Sequence, residues 1–324
     1  MATAQAIPVP VTVRGRKASS DAALDGGPLS AFEASYADRL RELSASRYLD
    51  FPVQVGMETL AVCNAACEFC PYPTMTRRGE RMSDGLVAKI LDELSAFPDD
   101  LPFELSFSRM NDPFLDRRLF DIAAEAQRVA PQAALWLFTN GSPLVEKVAA
   151  RLPELANATI FVISFNDHRK DAYQRVMKLP FERTVANIDR LHAMFEAREL
   201  PCRPIVSRVG DGSADDQAFL EWTRSRWPNF TCRVTQRFDW IGSVGVETFG
   251  RIPPMGCWQW FHVPVLASGR VAYCTLDHEG RNAWGDVNER SLLEIYNAPE
   301  RRALRERSVS RVGVERCANC NHFG

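Results

Sequence analysis

The stretch Cys63-Asn64-Ala65-Ala66-Cys67-Glu68-Phe69-Cys70 places three cysteines in one tight loop, spaced C-x3-C-x2-C, directly after the apolar-rich run from Phe51 to Val62. Three thiolates can hold three corners of an iron–sulfur cube, whereas such clusters ordinarily take four cysteines. The fourth iron is then open to a substrate or cosubstrate. Phe69, between the second and third cysteine, sets an apolar plate beside the cluster. The competing readings are thiols packed into a core or part of a zinc site. Asn, Glu and two Ala around a cysteine turn do not make a packed stripe, so the cluster is favoured.

The 324 residues suffice for one large domain and a small one, and 46% hydrophobic with 25% charged residues is an ordinary globular balance. A net charge of −2 makes no electrostatic case for nucleic acid or an anionic membrane as partner. No run approaches the roughly 18 apolar residues of a membrane span. Two prolines interrupt the apolar run from Ala6 to Val13, so no signal-peptide core is expected. The chain therefore reads as cytoplasmic. Nine cysteines in such a chain argue for metal or redox use rather than disulfides. Seven fall in clustered spacings; Cys202 and Cys232 do not.

Residues 1 to 28 are rich in Ala, Pro, Ser and Gly and carry no period, which predicts an irregular segment. Phe32, Tyr36, Leu40 and Leu43 predict an amphipathic helix over 29–46 that covers the main domain. From Phe51 the pattern alternates. Strands are expected at 53–60, 103–108, 134–138, 159–165, 203–209 and 231–238. Helices are expected at 84–97 (capped by Ser83), 116–129, 144–152, 184–198 and 215–227. Serial strand–helix units argue for parallel strands with outer helices. Alternation puts Gln54 with Glu58, Glu104 with Ser106 and Ser108, and Arg233 with Thr235, Arg237 and Asp239 on shared faces, predicting a polar lumen and a polar substrate. The same parity turns Cys202 and Cys232 outward.

Beyond Gly250 the pattern changes. Cys257 is followed by eleven residues, Gly269, four residues and Cys274, and Cys317-Ala318-Asn319-Cys320 closes the set. A hairpin is expected at 263–273, turning at Ser268-Gly269, with short helices at 291–297 and 301–307. Four cysteines complete a closed iron–sulfur cluster or a tetrahedral zinc site, and spacing alone does not separate them.

Cys63, Cys67 and Cys70, with Phe69 before the last, resemble the CxxxCxΦC signature of the radical SAM superfamily. The C-x11-G-x4-C segment, the later C-x2-C and Trp284-Gly285-Asp286-Val287-Asn288 resemble the auxiliary-cluster half of SPASM and twitch domains. The resemblance implies a partial (β/α)6 TIM-like barrel followed by a small α+β twitch domain, a β-hairpin plus short helices holding an iron–sulfur cluster. Its expected boundaries are 1–47 for an N-terminal extension, 48–245 for the barrel and 246–324 for the twitch domain. It implies S-adenosyl-L-methionine and two [4Fe-4S] clusters as cofactors, one on Cys63, Cys67 and Cys70 and an auxiliary one on Cys257, Cys274, Cys317 and Cys320. Met110-Asn111-Asp112-Pro113 stands where the family carries Gly-Gly-Glu-Pro, which aligns Asp112 with the carboxylate that meets the cosubstrate; the two glycines are absent. Phe69, Asn140, Ser164, Asn166 and Ser207 resemble cosubstrate-binding positions.

The two-cluster layout is similar to that of radical SAM dehydrogenases of the 2-deoxy-scyllo-inosamine type, which oxidise a secondary alcohol of an aminocyclitol. It implies a two-electron oxidation of a small-molecule substrate (sugar, aminocyclitol or nucleoside) with a flavodoxin- or ferredoxin-type reductant. Arg237 and Asp239 are the candidate catalytic residues, with His262 behind them. Redox-neutral epimerisation or decarboxylation, maturation of a ribosomally made peptide, and a cluster-bearing regulator are the alternatives. A peptide maturase is expected to carry a peptide-binding segment longer than the first 50 residues.

Overall fold

The computed structural model describes residues 31–245, 256–307, 310–311, 313–317, 320 and 322, with the side chains of 31–33 excepted. The irregular segment expected before residue 29, the Phe32 side chain, and Ala318 and Asn319 lie outside these. After α1 (Ala31–Ser44) come β1 (Gln54–Met57), α2 (Asp84–Ser95), β2 (Phe103–Ser106), α3 (Leu119–Val129), β3 (Ala133–Thr139), α4 (Glu146–Ala149) and β4 (Ala158–Ser164). Then follow α5 (Lys170–Met177), α6 (Phe181–Glu196), β5 (Pro204–Val209), α7 (Ala214–Arg226) and β6 (Thr231–Thr235). The last part holds β7 (His262–Val265), β8 (Arg270–Val271), β9 (Gly285–Asp286), α8 (Leu292–Tyr296) and α9 (Pro299–Arg307).

All described strands form one sheet in the order β6-β5-β4-β3-β2-β1-β7-β8-β9, parallel through β7 and antiparallel beyond. The sheet is not closed, as in a partial barrel. Its two faces differ. Val55, Met57, Leu105, Leu135, Leu137, Phe161, Ile163 and Val206 project to one side and pack with Leu86, Ile90, Leu94, Ile122, Ile188, Leu191 and Phe219 of the helices. The register places Gln54, Glu104, Ser106, Ser164, Ser207, Arg233 and Thr235 on the other face. That polar face lines the concave side, and Trp136 and Phe138 of β3 join it. The lumen is therefore part aromatic, which the apolar-on-both-faces run of β3 hid in the sequence.

Local signals account for the boundaries. Ser83 accepts the Leu86 backbone N–H at the start of α2. Ser291 and Glu294 close a reciprocal capping box on α8. Gly269 turns β7 into β8 at φ 99°, a left-handed conformation where an added Cβ would also strike the Asn288 side chain. The strands are shorter than expected after β1, β2 and β6, because the chain breaks from the ladder to build loops at their carboxyl ends. Residues 144–152 hold only α4 and a 3-10 turn, and α5 was not foreseen.

The N-terminal helix packs on the main domain at Val53, as expected, and reaches beyond it. Tyr36, Ala37, Leu40 and Leu43 pack with Val53, Cys257, Trp260, Phe261, Tyr273 and Cys317, so α1 covers the second cysteine set. Leu40 is fully buried there. Leu40→Ala is expected to lower the unfolding free energy in urea by about 2–5 kcal/mol, the usual range for a buried leucine truncated in place.

Candidate active site

The first cysteine loop leaves the carboxyl end of β1 and is pinned from three sides. The Asp112 N–H donates to Val62 O at 3.0 Å, and Ala61 exchanges backbone hydrogen bonds with Glu80 and Gly79. On the far side the Ala66 and Glu68 N–H groups donate to Met177 O and Val176 O at the end of α5, at 3.2 and 3.1 Å. The helix missed in the sequence is thus the shelf on which the loop rests. Burial pushes the Cys63 thiol up to about 12 and raises Cys67 and Cys70 as well; neighbouring thiols add to the rise at Cys63 and Cys67. Such thiols ionise when a metal takes the charge.

Asn140, 6% exposed, is one polar contact of this loop. Its amide donates to Asn64 Oδ1 at 2.7 Å and lies 3.8 Å from Cys63 Sγ. Asp112 carries its carboxylate inward: one oxygen accepts from Thr139 Oγ1 and the Asn140 N–H at 2.8 and 2.9 Å, the other from the Phe114 N–H. Burial holds this carboxyl above its ordinary range, at about 6. Asp112 therefore locks the loop after β2 to the end of β3 and, through Asn140, reaches Cys63. Asn166, in the left-handed region at φ 68°, is a tie as well. It accepts from the Val209 N–H at 2.8 Å and donates to Ser164 O at 3.1 Å. The Ser207 hydroxyl, on the lumen face of β5, points to Ile163 O at 3.4 Å, and Ser164 stands beside it on β4.

The second set converges elsewhere. Cys257, Cys274, Cys317 and Cys320 all line one pocket, walled further by Trp260, Leu276, Tyr273 and His322. Among the described residues no three Cys, His, Asp or Glu side chains close on a single ion. Four cysteines lining one pocket are the donor set of a closed iron–sulfur cluster, and they fit one. The Tyr273 hydroxyl lies 3.8 Å from Cys317 Sγ. The Tyr36 hydroxyl of α1 accepts the Trp258 N–H at 2.9 Å next to Cys257.

The segment after β6 joins the two sets. Strand parity was expected to aim Arg237 and Asp239 into the lumen; β6 ends at Thr235, so both belong to a loop instead. Positive φ at Trp240, Ile241 and Gly242 turns that loop, and the Asp239 carboxylate accepts the Gly242 N–H at 2.6 Å. Arg237 donates to Glu68 O at 3.3 Å and Trp240 Nε1 to Phe69 O at 3.0 Å. At the other end Phe238 stacks on His322 at 4.7 Å, and Ile241 lines the second cavity. Phe69 thus presents its carbonyl to this segment, while its ring packs on the main core.

Two residues escaped the sequence reading. Arg109 lies across Gly56 of β1, where an added Cβ would meet its Cδ at 3.3 Å, and reaches Cys274 O at 3.4 Å. Its Nε and Nη1 are shut from solvent without a partner among the described residues. Arg311 is buried beside the second set. No spacing rule exposes either, since both act through tertiary contact. His262, 5% exposed, has both ring nitrogens buried without a described partner, and burial depresses it to about 3. Cys232 points to Leu220 O of α7, away from the lumen.

Two family models match the sequence: the radical SAM superfamily over residues 57–200 and an iron–sulfur cluster-binding domain, SPASM, over residues 257–321. No curated protein matches it. Among solved structures, BtrN in complex with AdoMet and 2-DOIA is similar at 16% identity over 84% of this chain and 94% of that one, with a TM-score of 0.56. Streptococcus suis SuiB bound to precursor peptide SuiA is similar at 11% identity over 94% and 78%, TM-score 0.63. Native anSMEcpe with bound AdoMet is similar at 13% over 78% and 82%, TM-score 0.58. At these identities the likeness is one of fold.

Glu104 on the lumen floor gives the site a measurable titration. It is 3% exposed, accepts from Gln54 Nε2 at 2.8 Å, and burial, partly offset by Gln54 and the Arg39 charge, pushes its carboxyl from 4.5 to about 7. The folded chain keeps this proton where the unfolded chain releases it. Stability from this group is therefore present at pH 4.5 and lost as pH rises through 7. Relative to Glu104→Gln, the wild type is expected to lose about 3 kcal/mol between pH 4.5 and 8 in urea titrations; parallel pH profiles for the two would refute the buried carboxyl.

Proposed function

Since the chain is a radical SAM enzyme with a SPASM-type iron–sulfur domain, dependent on S-adenosylmethionine and an external reductant, we propose that it oxidises a polar, hydroxyl-bearing small molecule by two electrons. When bound, the cosubstrate and the first cluster supply the hydrogen-abstracting 5′-deoxyadenosyl radical, and the auxiliary cluster takes the second electron. Cys63, Cys67 and Cys70 hold the first cluster, and Cys257, Cys274, Cys317 and Cys320 the auxiliary one. Residues 48–245 act as the barrel domain and 246–324 as the twitch domain.

The observation that carries this reading is the single segment 237–242 running from the first cysteine loop to the second cavity. A substrate held along it touches both redox sites. Arg109, between the sets, offers two N–H groups to substrate oxygens. Asn140 orients the cosubstrate at the cysteine loop, Ser164, Asn166 and Ser207 flank it from the carboxyl ends of β4 and β5, and Asp112 and Phe69 hold the loops that form its walls. Asp239 accepts the hydroxyl proton at a hydrogen-bond distance of about 3 Å. Arg237 positions the substrate, because a guanidinium presents its donors in a fixed planar fork. The likeness to BtrN, solved with AdoMet and 2-DOIA, supports a small-molecule substrate. The likeness to SuiB, solved with a precursor peptide, supports the second reading, modification of a peptide.

Anaerobic reconstitution is expected to give about eight irons per chain, halved by joint Cys317→Ala and Cys320→Ala substitution. Reduced protein is expected to release 5′-deoxyadenosine from S-adenosylmethionine. With a panel of aminocyclitols, sugars and nucleosides, a ketone or aldehyde product supports the oxidation, and Asp239→Asn should slow it at least tenfold while sparing deoxyadenosine release. Turnover of peptides alone would transfer the assignment to the second reading. An epimer as product would sink the oxidation.

A further inference from the structure

The two cysteine sets differ in their buried charges. Beside the first, the buried charge is negative. Asp112, 2% exposed, grips the Asn140 backbone N–H, and the Asn140 amide lies against Cys63 Sγ. The Asp112 carboxylate is the charged group, other than the thiols themselves, that acts on Cys63. Beside the second set the buried Arg311 guanidinium outweighs the opposing Asp239 carboxylate at Cys320. Arg311, 1% exposed, donates from Nε to Gly256 O at 3.1 Å and from Nη1 to His322 O at 2.7 Å. Gly256 precedes Cys257 and His322 follows Cys320 by two residues, so one guanidinium ties both cysteine-bearing segments. Its charge acts on Cys257, Cys317 and Cys320. The Tyr273 hydroxyl adds a donor at Cys317 Sγ.

We propose that Arg311, helped by the Tyr273 hydroxyl, sets the reduction potential of the auxiliary cluster above that of the first cluster and so fixes the direction of electron flow. Reduction adds one negative charge to a centre already carrying four thiolates. A buried cation and a hydrogen-bond donor to a ligand sulfur both stabilise that added charge, and the dry surroundings strengthen the effect. A buried carboxylate near Cys63 works the other way and opposes the Asn140 amide and Ala65 N–H that face the Cys63 sulfur at 3.8 and 3.4 Å, while no buried cation comparable to Arg311 acts on Cys63 among the described residues. In the reaction, the substrate C–H gives its hydrogen atom to the deoxyadenosyl radical. The remaining hydroxyl-bearing carbon radical then loses its O–H proton to Asp239 and one electron to the auxiliary cluster, leaving a carbonyl and a cluster reduced by one electron. An external acceptor of ferredoxin or flavodoxin type takes that electron onward.

The inference rests on the cluster ligands assigned above but not on the substrate, and its test needs neither substrate nor S-adenosylmethionine. Two backgrounds isolate the clusters: Cys63, Cys67 and Cys70 replaced by Ala, and the four auxiliary cysteines replaced by Ala. Each is reconstituted and titrated with dithionite under electron paramagnetic resonance. The auxiliary midpoint is expected to lie above the first. Arg311→Gln should move it to more negative values with iron retained, Arg311→Lys should restore part of the shift, and Tyr273→Phe should give a smaller negative shift. An auxiliary midpoint at or below the first, or one unmoved by Arg311→Gln with iron retained, overturns the proposal. Should Arg311→Gln lose its iron, Tyr273→Phe and Arg311→Lys decide: a negative shift in either supports the proposal, and unchanged midpoints in both overturn it. Failure of the triple-alanine parent to hold iron would instead overturn the ligand assignment.

Discussion

Thiols buried in numbers are the constraint to which the remainder of this molecule answers. Seven cysteines lie in two buried clusters, and burial raises the pKa of every one. Left to themselves they would stay neutral and gain little beyond packing. A multivalent metal centre reverses that balance, because it makes thiolate the stable form exactly where solvent cannot. The surroundings follow from this. Apolar walls such as Trp260 and Leu276 keep water out, α1 closes one side, and a few polar groups (Asn140, Tyr273, Arg311) are placed against sulfur.

The sheet explains how the two cysteine sets come to share one framework. Parallel strands with helices on one side place all their loop ends along one edge, so the first cysteine loop, the loop after β2 and the end of β3 meet without long connections. Adding β7 parallel to β1 brings the second set to the same sheet, since Val263 and Val265 continue the buried face while His262 continues the lumen face. The loop after β6 then needs only residues 237–242 to touch both. Two redox sites on one rigid framework are a geometric consequence of extending a single sheet.

Cysteine spacing was legible because ligand chemistry is local: three thiols in one turn, and a four-thiol set read from its hairpin and its terminal pair. Strand–helix alternation was legible because the buried face of each strand is apolar and period two, as Val55 with Met57 and Leu135 with Leu137 show. What lay hidden depends on partners distant in sequence. Helix α5 is short and polar, and its value to the fold is the pair of carbonyls at Val176 and Met177 that receive the cysteine loop. Parity failed at Arg237 and Asp239 because it holds only while a strand lasts, and β6 stops at Thr235. Asp112 sits where the family motif puts a carboxylate, yet Thr139, Asn140 and Phe114 engage it, which no one-dimensional pattern reveals.

One buried ion pair shows how the two centres are kept in register. Glu58, at the end of β1, is fully buried and bonded to Arg77 through both carboxylate oxygens. The same carboxylate accepts the Met110 N–H at 3.1 Å and the Ala267 N–H at 3.3 Å, while Arg77 donates onward to His278 O. Five segments therefore meet on one pair: the strand that leads into the first cysteine loop, the stretch that follows that loop, the loop after β2, the turn of the β7–β8 hairpin, and the stretch that follows Cys274. A buried pair of this kind adds little net stability over an apolar replacement. Its contribution is positional, because each bond fixes a direction as well as a distance. The proposed oxidation, with a hydrogen atom lost at one end and an electron at the other, would tolerate little drift between the two ends. The pair sits where such drift would begin, at the root of the first loop and the neck of the second.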